Sequence, residues 1–118
     1  MLRWPSPVRV FVCLHPVDMR RSFDGLAAEA EHVMRQDPLS GHLFVFRRRR
    51  GDRVKVLYWD RDGYALWYKR LEAGAVKFAE GGTASVEVSA AELACILEGL
   101  DLTRATRRKR YAREESLP

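Results

Sequence analysis

Apolar and polar residues alternate along this chain at two different periods, and the switches between them mark its elements. In residues 8–14, Val8, Val10, Val12 and Leu14 fall on one side and Arg9, Phe11 and Cys13 on the other, the two-residue period of a strand. His15 and Pro16 end it, because proline disfavours helix in the residue before it and removes a ladder donor. From Asp18 the period lengthens: Met19, Phe23, Leu26, Ala30, Val33 and Met34 form one stripe of an amphipathic helix. Asp18 is the natural N-cap and Ser22 the alternative. Gly25 inside this helix costs about 1 kcal/mol relative to alanine, which points to close packing against a strand. The helix is expected to stop before Asp37 and Pro38.

Residues 38–72 hold three runs rich in β-branched and aromatic side chains, at 42–46, 54–59 and 64–71. Gly51-Asp52 separates the first two, and Asp60-Arg61-Asp62-Gly63 the last two. Such runs bounded by Gly and Asp predict a three-stranded meander joined by hairpins. Residues 73–84 are rich in Gly and Ala, with Val76 and Phe78 as large apolar side chains, and read as a short edge strand or a loop. Residues 85–88 alternate again as a short strand. Ser89-Ala90-Ala91-Glu92 is a capping box, and Leu93, Ile96, Leu97 and Leu100 give the helix it opens a buried face, with an end near Gly99 or Asp101. The order predicts a single α+β domain over residues 1–100: a mainly antiparallel sheet around a central meander, with two helices packed on one face. Residues 101–118 are polar and basic with few apolar anchors, and are expected to form a flexible tail.

Composition agrees and adds charge. The chain has 118 residues, 47% hydrophobic and 31% charged, which suits one globular core. No run approaches the roughly 18 apolar residues of a membrane helix, and the N-terminal apolar run is broken by prolines and an arginine without a small-residue cleavage site. A cytoplasmic location without a membrane partner is the expectation. Cys13 and Cys95 lie far apart in apolar runs, as buried free thiols do. The net charge is +5, and the span from Arg47 to Arg70 alone carries nine Lys or Arg against three Asp, a local +6. That balance favours a polyanionic partner, nucleic acid first.

The candidate nucleic-acid contacts are Arg47, Arg48, Arg49, Arg50, Arg53, Lys55, Lys69 and Arg70 in the meander, with Arg107, Arg108, Lys109 and Arg110 in the tail. Long cationic side chains at a hairpin tip reach phosphates without being buried; the same residues also serve as a solvated edge that blocks aggregation. Trp59, Tyr64, Trp67 and Tyr68 can stack on bases or fill the core, and core packing is the preferred reading. Asp60 and Asp62 have the spacing of a metal-binding acid pair, but a tight turn also requires Asp-x-Asp-Gly, with the glycine taking positive φ. The turn is preferred. His15, His32 and His42 have no metal-ligand spacing, and the chain has no Gly-rich phosphate loop. No catalytic residue, metal or cofactor is assigned.

Three stretches carry a resemblance: 18–26 (DMRRSFDGL), 38–46 (PLSGHLFVF), and 55–63 (KVLYWDRDG) with 68–72 (YKRLE). Together they resemble the TnpB-type accessory protein, the second open reading frame product, of the insertion-sequence sixty-six family of bacterial transposable elements. The resemblance runs from about Val8 to Leu100. It implies a protein encoded beside a transposase and needed for efficient transposition, with no catalytic residues to carry over. Joined to the basic meander, it leads to the expectation of a non-catalytic accessory factor that contacts DNA phosphates, the transposase or both. A subunit that binds protein alone, through the open edge of the sheet, is the other reading. Among the positions carrying the resemblance, Asp18, Gly25, Asp60 and Gly63 are accounted for by capping, packing and turns, and Phe23 and Trp59 by core packing. Arg20, Lys55, Lys69 and Arg70 are expected to be exposed and in need of a partner.

Overall fold

The first strand, β1 (Val10–Cys13), has no exposed side chain on either face, and Val12 and Cys13 are fully buried. A strand dry on both sides must lie inside a sheet covered above and below. The computed structural model describes residues 8–76 and 84–98, together with the backbone of 100–101 and 106–107. In it the helix α1 (Phe23–His32) carries the chain from β1 to β2 (Leu43–Arg47), which therefore pairs parallel to β1, Val10 opposite Leu43. β3 (Arg53–Trp59) and β4 (Tyr64–Arg70) follow as antiparallel hairpins, and β5 (Ser85–Val88) returns antiparallel on the other side of β1. The sheet order is β4-β3-β2-β1-β5. α2 (Ala90–Glu98) follows β5.

The α+β class, the mainly antiparallel sheet and the three-stranded meander agree with the sequence, but the meander runs from the middle of the sheet to its edge and is not central. The two helices, however, do not share a face. Phe11, Cys13, Phe44, Phe46 and Leu57 pack with Leu26, Ala27 and Ala30 of α1. Val10, Val12, Val45, Val54 and Val56 pack with Leu93 and Ile96 of α2 on the opposite side. The reason lies in the strands: β1 and β2 are apolar at consecutive positions, and one helical layer would leave half of those side chains in water.

Local chemistry sets the helix ends. Ser89 and Glu92 form the expected capping box, the Ser89 amide donating to the Glu92 carboxylate (2.9 Å) and the Glu92 amide to the Ser89 hydroxyl (3.0 Å). α1 begins later than its stripe suggests, at Phe23 with Ser22 as N-cap, and Asp18 caps nothing. The Asp18 carboxylate instead accepts from the Arg20 amide (2.9 Å) and guanidinium, closing a turn before the helix. Phe23 is consequently exposed. Gly25 faces no strand: a Cβ there would lie 3.2 Å from the Arg21 side chain, which crosses the glycine to reach Glu29 at 2.8 Å. α1 ends with Arg35 left-handed (φ 59°) and the Gln36 amide donating to the Ala30 carbonyl.

Val76 lies in the core layer beside α2, and its amide donates to the Gly51 carbonyl at 2.7 Å. Of the segment 73–84, residues 77–83 lie outside the described residues. At the boundary of the expected tail, Leu100–Asp101 pairs antiparallel with Thr106–Arg107; the rest of the tail also lies outside the described residues. No described helix is long and apolar enough to cross a membrane.

Gly51 is tightly constrained. Its φ is +73° and a Cβ would fall 2.6 Å from the Val76 carbonyl oxygen. Gly51→Ala is expected to cost about 1–3 kcal/mol in chemical denaturation, while Gly63→Ala, with nothing within 4 Å, stays within about 0.5 kcal/mol of wild type.

Candidate nucleic-acid interface

The turn joining β2 to β3 is where the arginines concentrate, and backbone bonds close it tightly. The Arg48 amide donates to the Arg53 carbonyl (3.0 Å) and the Gly51 amide to the Arg48 carbonyl (2.8 Å). Gly51 is buried against residues 75–76, so the turn is anchored from beneath. Arg49 and Arg50 are exposed, and Arg48 is half-exposed with its guanidinium 3.5 Å from Asp52. Two buried atoms at this corner, Asp52 Oδ1 and Arg53 Nε, hydrogen-bond to no protein group among the described residues.

The remaining basic residues divide by what their heads touch. Arg47 belongs to β2, not to the turn, and its Nη2 donates to the Leu14 carbonyl at 3.0 Å. Lys69 reaches the Leu97 carbonyl at 3.4 Å, placing a cation by the last turn of α2, which has no basic residue of its own there. Arg70 is exposed and pairs with Glu72 at 3.1 Å. Arg53 donates from Nη1 to the Tyr68 hydroxyl at 3.0 Å. Arg20 is exposed and paired with Asp18 at 2.6 Å. The Arg107 backbone is described within β7 (Thr106–Arg107), which pairs with β6 (Leu100–Asp101); Arg108, Lys109 and Arg110 lie outside the described residues.

Lys55 overturns the expectation of exposure. It is only 6% exposed, and its ammonium donates to the carbonyls of Met19 (2.8 Å) and Arg21 (2.7 Å) while sitting 4.7 Å from the centre of the Tyr68 ring. Those carbonyls would accept helical bonds if α1 began at Asp18. Lys55 takes both of them, beside the Asp18–Arg20 bonds that close the same turn. It is a positioning residue that ties that turn to β3, and it is removed from the set of phosphate contacts. The sequence carried one signal of this: Lys55 stands between Val54 and Val56 in a strand buried from Val54 to Leu57.

The aromatics separate similarly. Trp59 and Tyr64 meet edge to face at 5.1 Å, and burial pushes the Tyr64 hydroxyl above its ordinary value. Trp67 and Tyr68 are 42% and 47% exposed on the outer strand β4, contrary to the expected core packing. Asp60 closes a turn, its amide donating to the Gly63 carbonyl at 2.7 Å; the left-handed residue there is Arg61 (φ 58°), not Gly63. Among the described residues no three acids, histidines or cysteines group as metal ligands. Cys13 is buried, and desolvation pushes its thiol up, opposite to what a nucleophile needs. His42, near Ser40, accepts from the Arg9 amide at Nδ1 (3.0 Å) and packs edge to face on Phe11. At the opposite edge, Arg9 and Glu87 form a two-point ion pair (2.9 and 2.6 Å) between β1 and β5.

Fold and site together define a small α+β domain with a cationic corner at one end of its sheet. The chain belongs to the IS66 Orf2-like protein family, which matches residues 8–107 and groups accessory proteins associated with transposition. Two relatives from Sinorhizobium fredii are uncharacterized proteins. One, y4jC, is 38% identical over 86% of each chain; the other, y4hO, is 41% identical over 86% of this chain and 88% of its own. No solved structure matches.

Lys55→Met is expected to lower stability by about 1.5–3 kcal/mol, the range for hydrogen bonds to a charged group, and to speed amide exchange in residues 18–22; unchanged exchange there would contradict its tethering role. Arg20 holds the Asp18 carboxyl down to about 2 from an ordinary 3.8. Because the folded value is the lower one, the pair's contribution is complete above about pH 4 and fades as pH falls towards 2. A carboxyl-carbon NMR titration checks this: Arg20→Ala should return Asp18 towards the ordinary value.

Proposed function

We propose that the chain is a non-catalytic accessory factor of DNA transposition that contacts DNA phosphates through Arg48, Arg49 and Arg50, with Arg53 and Arg70 beside them. Arg107, Arg108, Lys109 and Arg110 extend the same chemistry into the tail. The observation that carries this reading is the turn itself: three successive arginines on an anchored backbone, within the span from Arg47 to Arg70 whose charge, +6, exceeds that of the whole chain. Family membership supports the setting. Phosphate contact needs no base-specific geometry and gives register-tolerant binding, which suits a factor that works beside a transposase.

A second reading has its own observation. Among the described residues β4 pairs with β3 alone and presents its outer backbone edge, with Trp67 and Tyr68 exposed along it. An extended segment of the transposase could add there as a further strand, and the arginines would then serve solubility.

Fluorescence titration of the full chain with a duplex from the element's terminal repeats separates the two. Under the first reading log K falls linearly with log salt, and replacing Arg48, Arg49 and Arg50 by serine reduces the slope by roughly 2–3. Undetectable or salt-independent binding, with transposase capture intact in the serine variant, would favour the second.

A further inference from the structure

Duplex contact accounts for the arginines but not for Tyr68. Tyr68 is 47% exposed yet its ring is held from two directions: the buried Lys55 ammonium sits 4.7 Å from its centre, and the Arg53 guanidinium holds its hydroxyl at 3.0 Å. Lys55 is Tyr68's register partner across β3 and β4, and Arg53 is the partner of Arg70. The alternation of the strands therefore sets Arg53, Tyr68 and Arg70 on one face, beside the arginine turn. Trp67 points to the other face and is not part of this group.

We infer that Tyr68 is a stacking platform for an unpaired base of single-stranded DNA, with Arg53, Arg70 and the arginine turn holding the flanking phosphates. This rests on the reading that the cationic corner binds DNA, and it names the form of DNA the corner prefers. A duplex hides the faces of its bases and offers phosphates and groove edges; an exposed π face is useful only where a base is unstacked. Because Lys55 and Arg53 already hold the ring, stacking removes little side-chain freedom. The Arg70–Glu72 pair is exposed and such pairs contribute about 0–1 kcal/mol, so Arg70 can exchange its carboxylate for a phosphate at little cost.

The test is fluorescence anisotropy of the full chain with a labelled single-stranded DNA oligomer of mixed sequence, the duplex of the same sequence, and an RNA oligomer of that sequence. Wild type should bind the DNA strand more tightly than the duplex and at least as tightly as the RNA. Tyr68→Leu should weaken strand binding by about 5- to 150-fold, the effect of losing one base–aromatic stack, and change duplex binding less than about two-fold. Tyr68→Phe, which keeps the ring, should retain most of the strand affinity. Duplex preference in wild type, equal loss for strand and duplex in Tyr68→Leu, or loss in Tyr68→Phe matching that in Tyr68→Leu would overturn the inference. Clear preference for RNA would overturn it as well. If duplex binding with a steep salt slope persists while Tyr68→Leu changes nothing, the stacking site fails and the phosphate-binding function stands. If no nucleic acid binds, both fail. Should Tyr68→Leu not fold, the strand-to-duplex ratio of wild type still decides.

Discussion

The structure depends on the dryness of its two central strands. β1 and β2 place apolar side chains on both faces, so the sheet must be covered twice. With α1 spent on one side as the crossover between these parallel strands, α2 has to close the other. Outside that sandwich, Trp67 and Tyr68 on the outer strand β4 and Arg49 and Arg50 in the β2–β3 turn stay exposed.

Positive charge serves two purposes in this chain, and burial distinguishes them. Lys55, Arg47 and Lys69 aim their heads at backbone carbonyls of residues 14–21 and 97, satisfying acceptors that irregular backbone would otherwise leave open. Arg49, Arg50 and Arg70 keep their heads in water or in exposed pairs. Lys55 joins the purposes, because the ammonium that shapes the turn before α1 also fixes Tyr68. A motif loop, a buried lysine and an exposed ring are in this way one mechanical unit.

What was legible in the sequence was what local chemistry decides. The capping box of Ser89 and Glu92, the Asp60 turn and the strand periods need only neighbours a few residues away. The placement of the helices was partly written in β1, where Phe11 and Cys13 alternate with Val10 and Val12 and leave no polar side. Lys55 was not legible as a structural residue, since its acceptors are carbonyls 34 and 36 residues distant. Nor was the late start of α1, where that same lysine is bonded, nor the exposure of Tyr68 on the outer strand. Gly25 carried a true signal of close packing, but the partner is Arg21 on the preceding turn.

The division of basic residues is the central claim, and amide and side-chain NMR spectra of the chain titrated with a short DNA oligomer test it most directly. Shifts should concentrate in residues 48–53 and 68–70, including the arginine side-chain NεH signals, while the outward faces of α1 and α2 stay still. Shifts confined to those helical faces, or none at all at millimolar DNA, would contradict it.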